Sequence, residues 1–314
     1  MKTTKIKFID NNPIKGHNFF EPKDKNSNGF KFFQVSAFIG PMRCGKSLAI
    51  INLVKYLEEN DLITETFLLS PTIENNPFHV LNIPEENIYF NLDNVNNDLE
   101  NIIKYIKNKI KIWKNIRENL TKKEYENFYK LSLKKYKNQF KKTIKYKKCV
   151  IFDGDDDNIE NNELNDDDIE LLMDNKLNDI PTYYNSGPNF CIILDDILGS
   201  DVICNKKGNV LNKMIANHRH LRLNIYLAIQ TFTNGIPKSL RRIIKQYYLW
   251  KFNDIGEIEN FYKEIGSSIF SSFDEFIKIY REITNKPHNF LLLDSDPLKD
   301  NLKIRENFDT IITL

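Results

Sequence analysis

Cysteine is scarce. The 314 residues hold four, Cys44, Cys149, Cys191 and Cys204, with no C-x-x-C pair and no histidine at zinc-site spacing. A disulfide scaffold and a cysteine-rich metal module are disfavoured, and free thiols in a reducing compartment are expected. Long apolar runs are missing too: no segment approaches the roughly 18 residues of a membrane helix, and no N-terminal stretch resembles a signal peptide. The expectation is a soluble intracellular protein. Charge of one sign is also lacking, with 45 Lys and Arg against 43 Asp and Glu for a net charge of +2, so any nucleic-acid contact must come from local patches. A hydrophobic content of 41% is enough to bury a substantial core, in one large domain or one domain with insertions. The excess of Lys, Asn and Ile fits A/T-rich codons and concerns the genome, not the mechanism.

Against that background one stretch carries chemistry. Gly40-Pro41-Met42-Arg43-Cys44-Gly45-Lys46-Ser47 fits G-x-x-x-x-G-K-[ST] in full. The apolar run Val35–Ile39 before it reads as a buried strand, and Leu48–Leu57 behind it has helical periodicity. The loop therefore leaves a strand and turns its amides onto a helix N-terminus, where aligned N–H groups and the helix dipole favour anionic oxygen. All eight residues are candidates for cradling the phosphates of ATP. Lys46 would reach the β- and γ-phosphates, and the Ser47 hydroxyl would ligate Mg²⁺.

Residues 1–31 are polar and Lys/Asn-rich around Pro13, Pro22 and Gly29, and read as an arm or a peripheral strand. Thr66–Thr72 reads as a second buried strand and Asn87–Phe90 as a short third one. From about Asp98 to Tyr146 the pattern is helical, with Ile102, Ile103, Ile106, Ile110 and Trp113 at helical spacing. Its second part, Lys122–Lys148, is lysine-dense with interleaved aromatics. It could touch nucleic acid through phosphates and stacking, or be an exposed insertion whose aromatics pack inward. The acidic run Asp153–Asp168 lacks calcium-loop spacing and reads as a flexible linker, and the opposite charges of the two segments could partly neutralise each other. The expected layout is an arm over 1–31 and an ATPase domain over 32–314, carrying a Lys-rich helical and acidic insertion at about 98–187.

Hydrolysis needs acids that the loop lacks. Phe190–Asp196 is an apolar strand ending in paired aspartates. This strand is expected beside the first, with Asp195 holding Mg²⁺ through water and Asp196 orienting and deprotonating the attacking water. A strand ending in a helix cap would look the same in isolation, but downstream of a complete phosphate loop the pair supplies the missing parts. Asn224–Thr231 is another buried strand. Gln230 at its tip is placed to contact the γ-phosphate or the water, or to satisfy local backbone.

Basic groups cluster at Asn217–Arg222 and at Lys238, Arg241 and Arg242 on a helix starting near Pro237. In a ring ATPase, charge developing on the γ-phosphate calls for an arginine from the neighbouring subunit. Arg219 and Arg222 are the first candidates for that part. Arg241 or Arg242 could take it instead, or could bind DNA phosphates. His218 and His220 have no partners at zinc spacing. Tyr247–Phe252 and Phe290–Asp294 read as strands, the latter as the last one, with helices over Ile255–Ile265 and Phe273–Tyr280 between them. The alternation argues a doubly wound α/β architecture with the nucleotide at the C-terminal strand ends.

The phosphate loop, Leu69-Ser70-Pro71-Thr72, Ile192–Asp196, Arg219–Arg222 through Ala228–Thr231 and Ile236–Arg241 together resemble the poxvirus-type genome-packaging ATPases of the FtsK/HerA superfamily, found in large DNA viruses and virophages. The likeness spans roughly residues 32–253, and the paired aspartates, where many relatives have Asp-Glu, are similar to the packaging branch. It implies a RecA-like P-loop NTPase with a mainly parallel sheet, ATP and Mg²⁺ as cofactors, and a ring homo-oligomer around duplex DNA. It further implies ATP-driven translocation of a genome into a preformed capsid, with a capsid or portal-vertex protein as a further partner and the host cytoplasm and virion as locations. Another nucleic-acid ATPase, a helicase or a DNA-transfer motor, would carry the same site. A P-loop nucleotide kinase or switch is a reading from a different class, and it lacks a recognisable lid or second substrate pocket. Too little chain follows Asp294 for a nuclease, so a terminase with its own nuclease is disfavoured.

Overall fold

Apolar runs with no polar face build the centre of the molecule. The computed structural model describes residues 2–5, 32–59, 62–91, 93–119, 187–197, 209–297 and 300–314. The lysine-dense segment 122–148 and the acidic run 153–168 lie outside the described residues. Val35–Ile39 (β2), Phe190–Asp195 (β5), Leu223–Ile229 (β6) and Gln246–Leu249 (β7) are buried at every position, as strands covered on both faces must be. Glu65–Leu69 (β3) and Ile88–Tyr89 (β4) complete a six-stranded parallel region in the order β7-β2-β6-β5-β3-β4. Leu291–Asp294 (β8), Ile304–Glu306 (β9) and Thr310–Thr313 (β10) continue the sheet antiparallel from β7. Two strands thus follow Phe290–Asp294, against the expectation that it is the last. At the edge, Lys2–Lys5 (β1) pairs with β10, a peripheral strand from the N-terminal arm.

Alternate strand residues feed two cores, the period-2 signature of a sheet with helices on both faces. Phe38, Leu68, Cys191 and Ile193 face one way, where Lys46–Glu59 (α1) lays down Ile50, Leu53, Val54 and Leu57. Ala37, Ile39, Phe67, Leu69, Ile192 and Leu194 face the other, beneath Val95–Asn119 (α2), Val210–Asn217 (α3), Ile255–Glu264 (α5) and Phe273–Thr284 (α6). A short helix, Lys238–Arg241 (α4), precedes α5 in the chain. On α2 the buried stripe is Val95, Leu99, Ile102, Ile106 and Ile110, so this helix is one of the layers that cover the sheet. This is an α/β fold with a doubly wound, mainly parallel sheet. Among the described residues no helix is long and apolar enough to cross a membrane.

Register decides where chemistry can happen. Ile39 lies opposite Ile229 and Leu249, Asp195 opposite Ala228, and Leu69 opposite Leu194. The residues that follow, Gly40, Gln230, Trp250, Asp196 and Ser70, therefore emerge together at the C-terminal edge of the parallel strands, where open α/β sheets bind ligands.

Candidate active site

The loop after β2 is shaped by two left-handed residues, Arg43 at φ 62° and Gly45 at φ 113°. Interleaved with ordinary backbone, such residues make a concave run of N–H groups that suits an anion. Gly40 is held by its own N–H, which donates to the Ile229 carbonyl at 3.2 Å. A Cβ at Gly40 would stand 2.7 Å from Trp250 Cβ and 2.8 Å from Cys44 Sγ, closer than carbon side chains approach, so glycine is required there. Lys46 Nζ donates to the carbonyls of Gly40 at 2.7 Å and Pro41 at 2.8 Å, which lays the ammonium across the loop. Burial pushes its pKa below the usual lysine range, with Cys44 and the aspartates Asp195 and Asp196 acting in the opposite direction. Burial also pushes the Cys44 thiol up, which keeps it protonated and poorly nucleophilic. Met42 and Arg43 turn their side chains to solvent, so their part in a phosphate cradle falls to their backbone.

The acidic strand, expected beside the first strand, is separated from it by β6. The loop closes the gap, since α1 starts by directing the Ser47 hydroxyl onto Asp195 Oδ1 at 2.9 Å. Asp195 is almost fully buried, and its other oxygen accepts from Asn76 Nδ2 at 3.2 Å and Ser70 Oγ at 3.4 Å. Burial is the main cause that raises its pKa above the usual carboxylate range, with Asp196 adding to the rise and the Ser47, Ser70 and Lys46 interactions opposing it. A hydroxyl and one buried carboxylate, both hard oxygen donors, fit Mg²⁺, which takes one or two protein carboxylates and fills its shell with water and phosphate. Mg²⁺ bound there supplies charge neutralisation and orientation of phosphate oxygens.

Asp196 turns out of β5 with φ 54°, a left-handed corner that aims its carboxylate away from the strand line. Gln230, emerging from the adjacent β6, donates from Nε2 to Asp196 Oδ1 at 2.9 Å. Lys46, Ser47, Asp195, Asp196 and Gln230 are thus gathered at one sheet edge. Ser70 and Asn76 join them without having been assigned a part from the sequence. Ser70 could have been found as the polar end of β3, whereas nothing in the letters around Asn76 marks it.

The basic candidates divide by burial. Arg222 is 6% exposed, precedes β6 at the opposite end of the sheet, and donates from Nε to Pro188 O at 2.6 Å and from a terminal nitrogen to Asn189 Oδ1 at 2.8 Å. Its guanidinium also lies over the rings of Phe33 and Trp113, at 5.1 and 5.0 Å. A side chain tied into its own fold in this way does not reach a neighbour's phosphate, which corrects the expectation for Arg222. Arg241 is likewise buried, bonded to Ile236 O, Thr233 O and Glu264, with its guanidinium 4.4 Å from the Phe232 ring centroid. Arg219, Lys238 and Arg242 are exposed. His218 is buried with Nδ1 2.6 Å from the Ile215 carbonyl, a structural arrangement. Among the described residues no group of three or more His, Cys, Asp or Glu could hold a metal by itself.

No protein-family model and no curated protein matches the chain. Solved structures do. The chain is similar to the genome packaging NTPase B204 of Sulfolobus turreted icosahedral virus 2, solved in complex with ATP-gammaS, at 11% identity and a TM-score of 0.45 over 87% of this chain and 96% of that one. It is similar to B204, the DNA-packaging ATPase of Sulfolobus turreted icosahedral virus, at 10% identity and a TM-score of 0.46 over 88% and 98%. It is also similar to EssC (ATPases 2 and 3) of Geobacillus thermodenitrificans at 14% identity and a TM-score of 0.44, over 84% of this chain and 38% of that one.

Proposed function

We propose that the protein is an ATPase whose hydrolysis drives duplex DNA in the packaging of a viral genome. The observation that carries the ATPase reading is the meeting of three strand ends: Ser47 is 2.9 Å from Asp195, and Gln230 is 2.9 Å from Asp196 beside the Lys46 loop. In this reading the loop amides and Lys46 bind the phosphates, and Ser47 and Asp195 hold Mg²⁺. Asp196 accepts the proton of the attacking water while Gln230 fixes the direction of its carboxylate. A nucleotide kinase needs an acceptor pocket, and an acid bonded to a strand-end amide suits activation of water better.

The DNA motor is the finer part of the proposal and is supported by the motif resemblance to packaging ATPases. It goes with a ring of identical subunits working in the host cytoplasm on a capsid or portal partner. Arg219, exposed near the end of α3, takes the part of the arginine offered to a neighbour's γ-phosphate. In this reading Lys238 and Arg242, both exposed, meet phosphates of the duplex. The test is steady-state ATP hydrolysis with and without long duplex DNA, for the wild type and Lys46→Ala. A Lys46-dependent rate that duplex DNA raises, without strand displacement, is the expected result. Turnover that survives Lys46→Ala would overturn the site, and efficient unwinding would replace the packaging motor with a helicase.

A further inference from the structure

The turn that follows Gln230 is held from outside the nucleotide site. Glu257 Oε2 accepts two backbone bonds, from Phe232 N at 2.6 Å and Thr233 N at 3.0 Å. Glu257 is the third residue of α5 after the Asp254 N-cap, whose Oδ1 accepts from Gly256 N at 2.8 Å. An acid at that position commonly reaches back to its own helix's first N–H groups. Here it reaches across to another segment. Arg241 closes the same turn from the other side through Thr233 O and Ile236 O, and is itself fixed by Glu264 at 2.7 Å. Gly235 packs so closely on the Thr231 carbonyl that a Cβ would come within 2.2 Å of it. Upstream, Ile229 is pinned by its pairing with Ile39. The backbone on both sides of Gln230 is therefore anchored, so its side chain starts from a fixed point within hydrogen-bond reach of Asp196.

We propose that Glu257 is a positioning residue for hydrolysis: it fixes the 231–233 turn so that Gln230 keeps its bond to Asp196. The inference rests on the reading of this site as an ATPase. Glu257 acts through the backbone N–H groups of Phe232 and Thr233, and so through Gln230, which makes its effect one on turnover, with nucleotide affinity left to the phosphate loop and Asp195. One oxygen accepts both bonds, and an amide oxygen in the same place accepts them with the same geometry, though more weakly for want of the charge. Glu257→Gln therefore retains the function and Glu257→Ala loses it.

The experiment is a double-mutant cycle on the full chain, with kcat and KM for ATP measured for wild type, Glu257→Ala, Glu257→Gln, Gln230→Ala and the Glu257→Ala/Gln230→Ala pair. Glu257→Ala is expected to lower kcat by roughly 10- to 100-fold with KM within about threefold, and Glu257→Gln to restore most of it. In the Gln230→Ala background, adding Glu257→Ala should cost less than about threefold more, since the residue acts through Gln230. Additive losses in the pair, or a Glu257→Ala enzyme with wild-type kcat, would overturn the proposal. If Glu257→Ala does not fold, Glu257→Asp, which keeps the charge and withdraws the oxygen by one methylene, takes its place in the cycle with the same expectations. A folded wild type with no Lys46-dependent turnover would overturn the ATPase reading, and the proposal with it.

Discussion

Replacing Arg222 separates a structural arginine from one that serves a neighbouring subunit. Its Nε and a terminal nitrogen make charge-assisted bonds to Pro188 O and Asn189 Oδ1, and Phe33 and Trp113 cover its guanidinium. Each bond to a charged donor contributes about 1.5 kcal/mol at the low end of the usual range. A desolvated cation over an aromatic face adds about 1–2 kcal/mol. Arg222→Ala should therefore cost about 4–5 kcal/mol, the partners being left buried. At about 2 °C per kcal/mol for a large domain, the melting temperature falls by about 8–10 °C. Arg222 has φ 52°, so Arg222→Gly recovers about 1 kcal/mol relative to alanine by relieving a left-handed Cβ. Calorimetry of the three proteins gives the stability order, and ATP turnover per folded molecule at a temperature well below the transition gives the activity. The expected result is a large stability loss with near-normal turnover below the transition. An Arg222→Ala protein that melts like the wild type, is inactive alone and regains activity when mixed with wild-type subunits would refute the structural assignment and restore the trans role.

Asp196→Asn keeps the Oδ1 acceptor for Gln230 and suits the left-handed corner at φ 54°, so the fold and nucleotide affinity should hold while single-turnover hydrolysis drops by about 10²–10⁴-fold. Loss of nucleotide binding instead would make Asp196 a structural residue. Burial is the main cause that depresses the His218 pKa, with Arg219 and His220 in the same direction and its bonds to the Ile215 and Phe33 backbone opposing. The unfolded chain then binds this proton more readily than the folded one, so stability is lost as pH falls through the ordinary histidine range. Urea melts between about pH 7 and 5.5 should show that decline, with a shallower slope in His218→Gln; an equal slope in both would assign the pH dependence to other groups.

What the sequence could show was whatever is local. The strand Val35–Ile39, the loop that follows it and the helix starting at Lys46 need only periodicity and a motif, and they lie where the spacing put them. The helix over Ile255–Glu264 ends one residue before its predicted boundary. Strand order is different, because it depends on which crossovers pack where, and nothing in Phe190–Asp195 says that β6 will lie between it and β2. Arginine burial is equally non-local. Arg222 is covered by Trp113, more than a hundred residues earlier on α2, while Arg219 three positions away stays in solvent. The strand Ile304–Glu306 was missed because three residues with two charges give no alternation, yet Arg305 is buried at 2% exposure near Asp294, which Gln246 Nε2 also contacts at 2.9 Å.

The hydrogen bonds within the site bear on how it would discriminate between binding and turnover. Lys46 already has two carbonyl partners, and Asp195 already accepts from Ser47, Asn76 and Ser70. Arrival of a phosphate therefore exchanges partners more than it adds them, and the gain comes from opposing charge at a site where desolvation strengthens it. Asp196 is different, since its bond to Gln230 engages one oxygen and leaves the other as acceptor capacity for water. Binding would thus depend on the loop and Asp195, and turnover on the direction of Asp196. The Glu257 contacts at Phe232 and Thr233 lie on the turnover side of that division, so damage to the 231–233 turn should change kcat while leaving the loop's affinity for nucleotide intact.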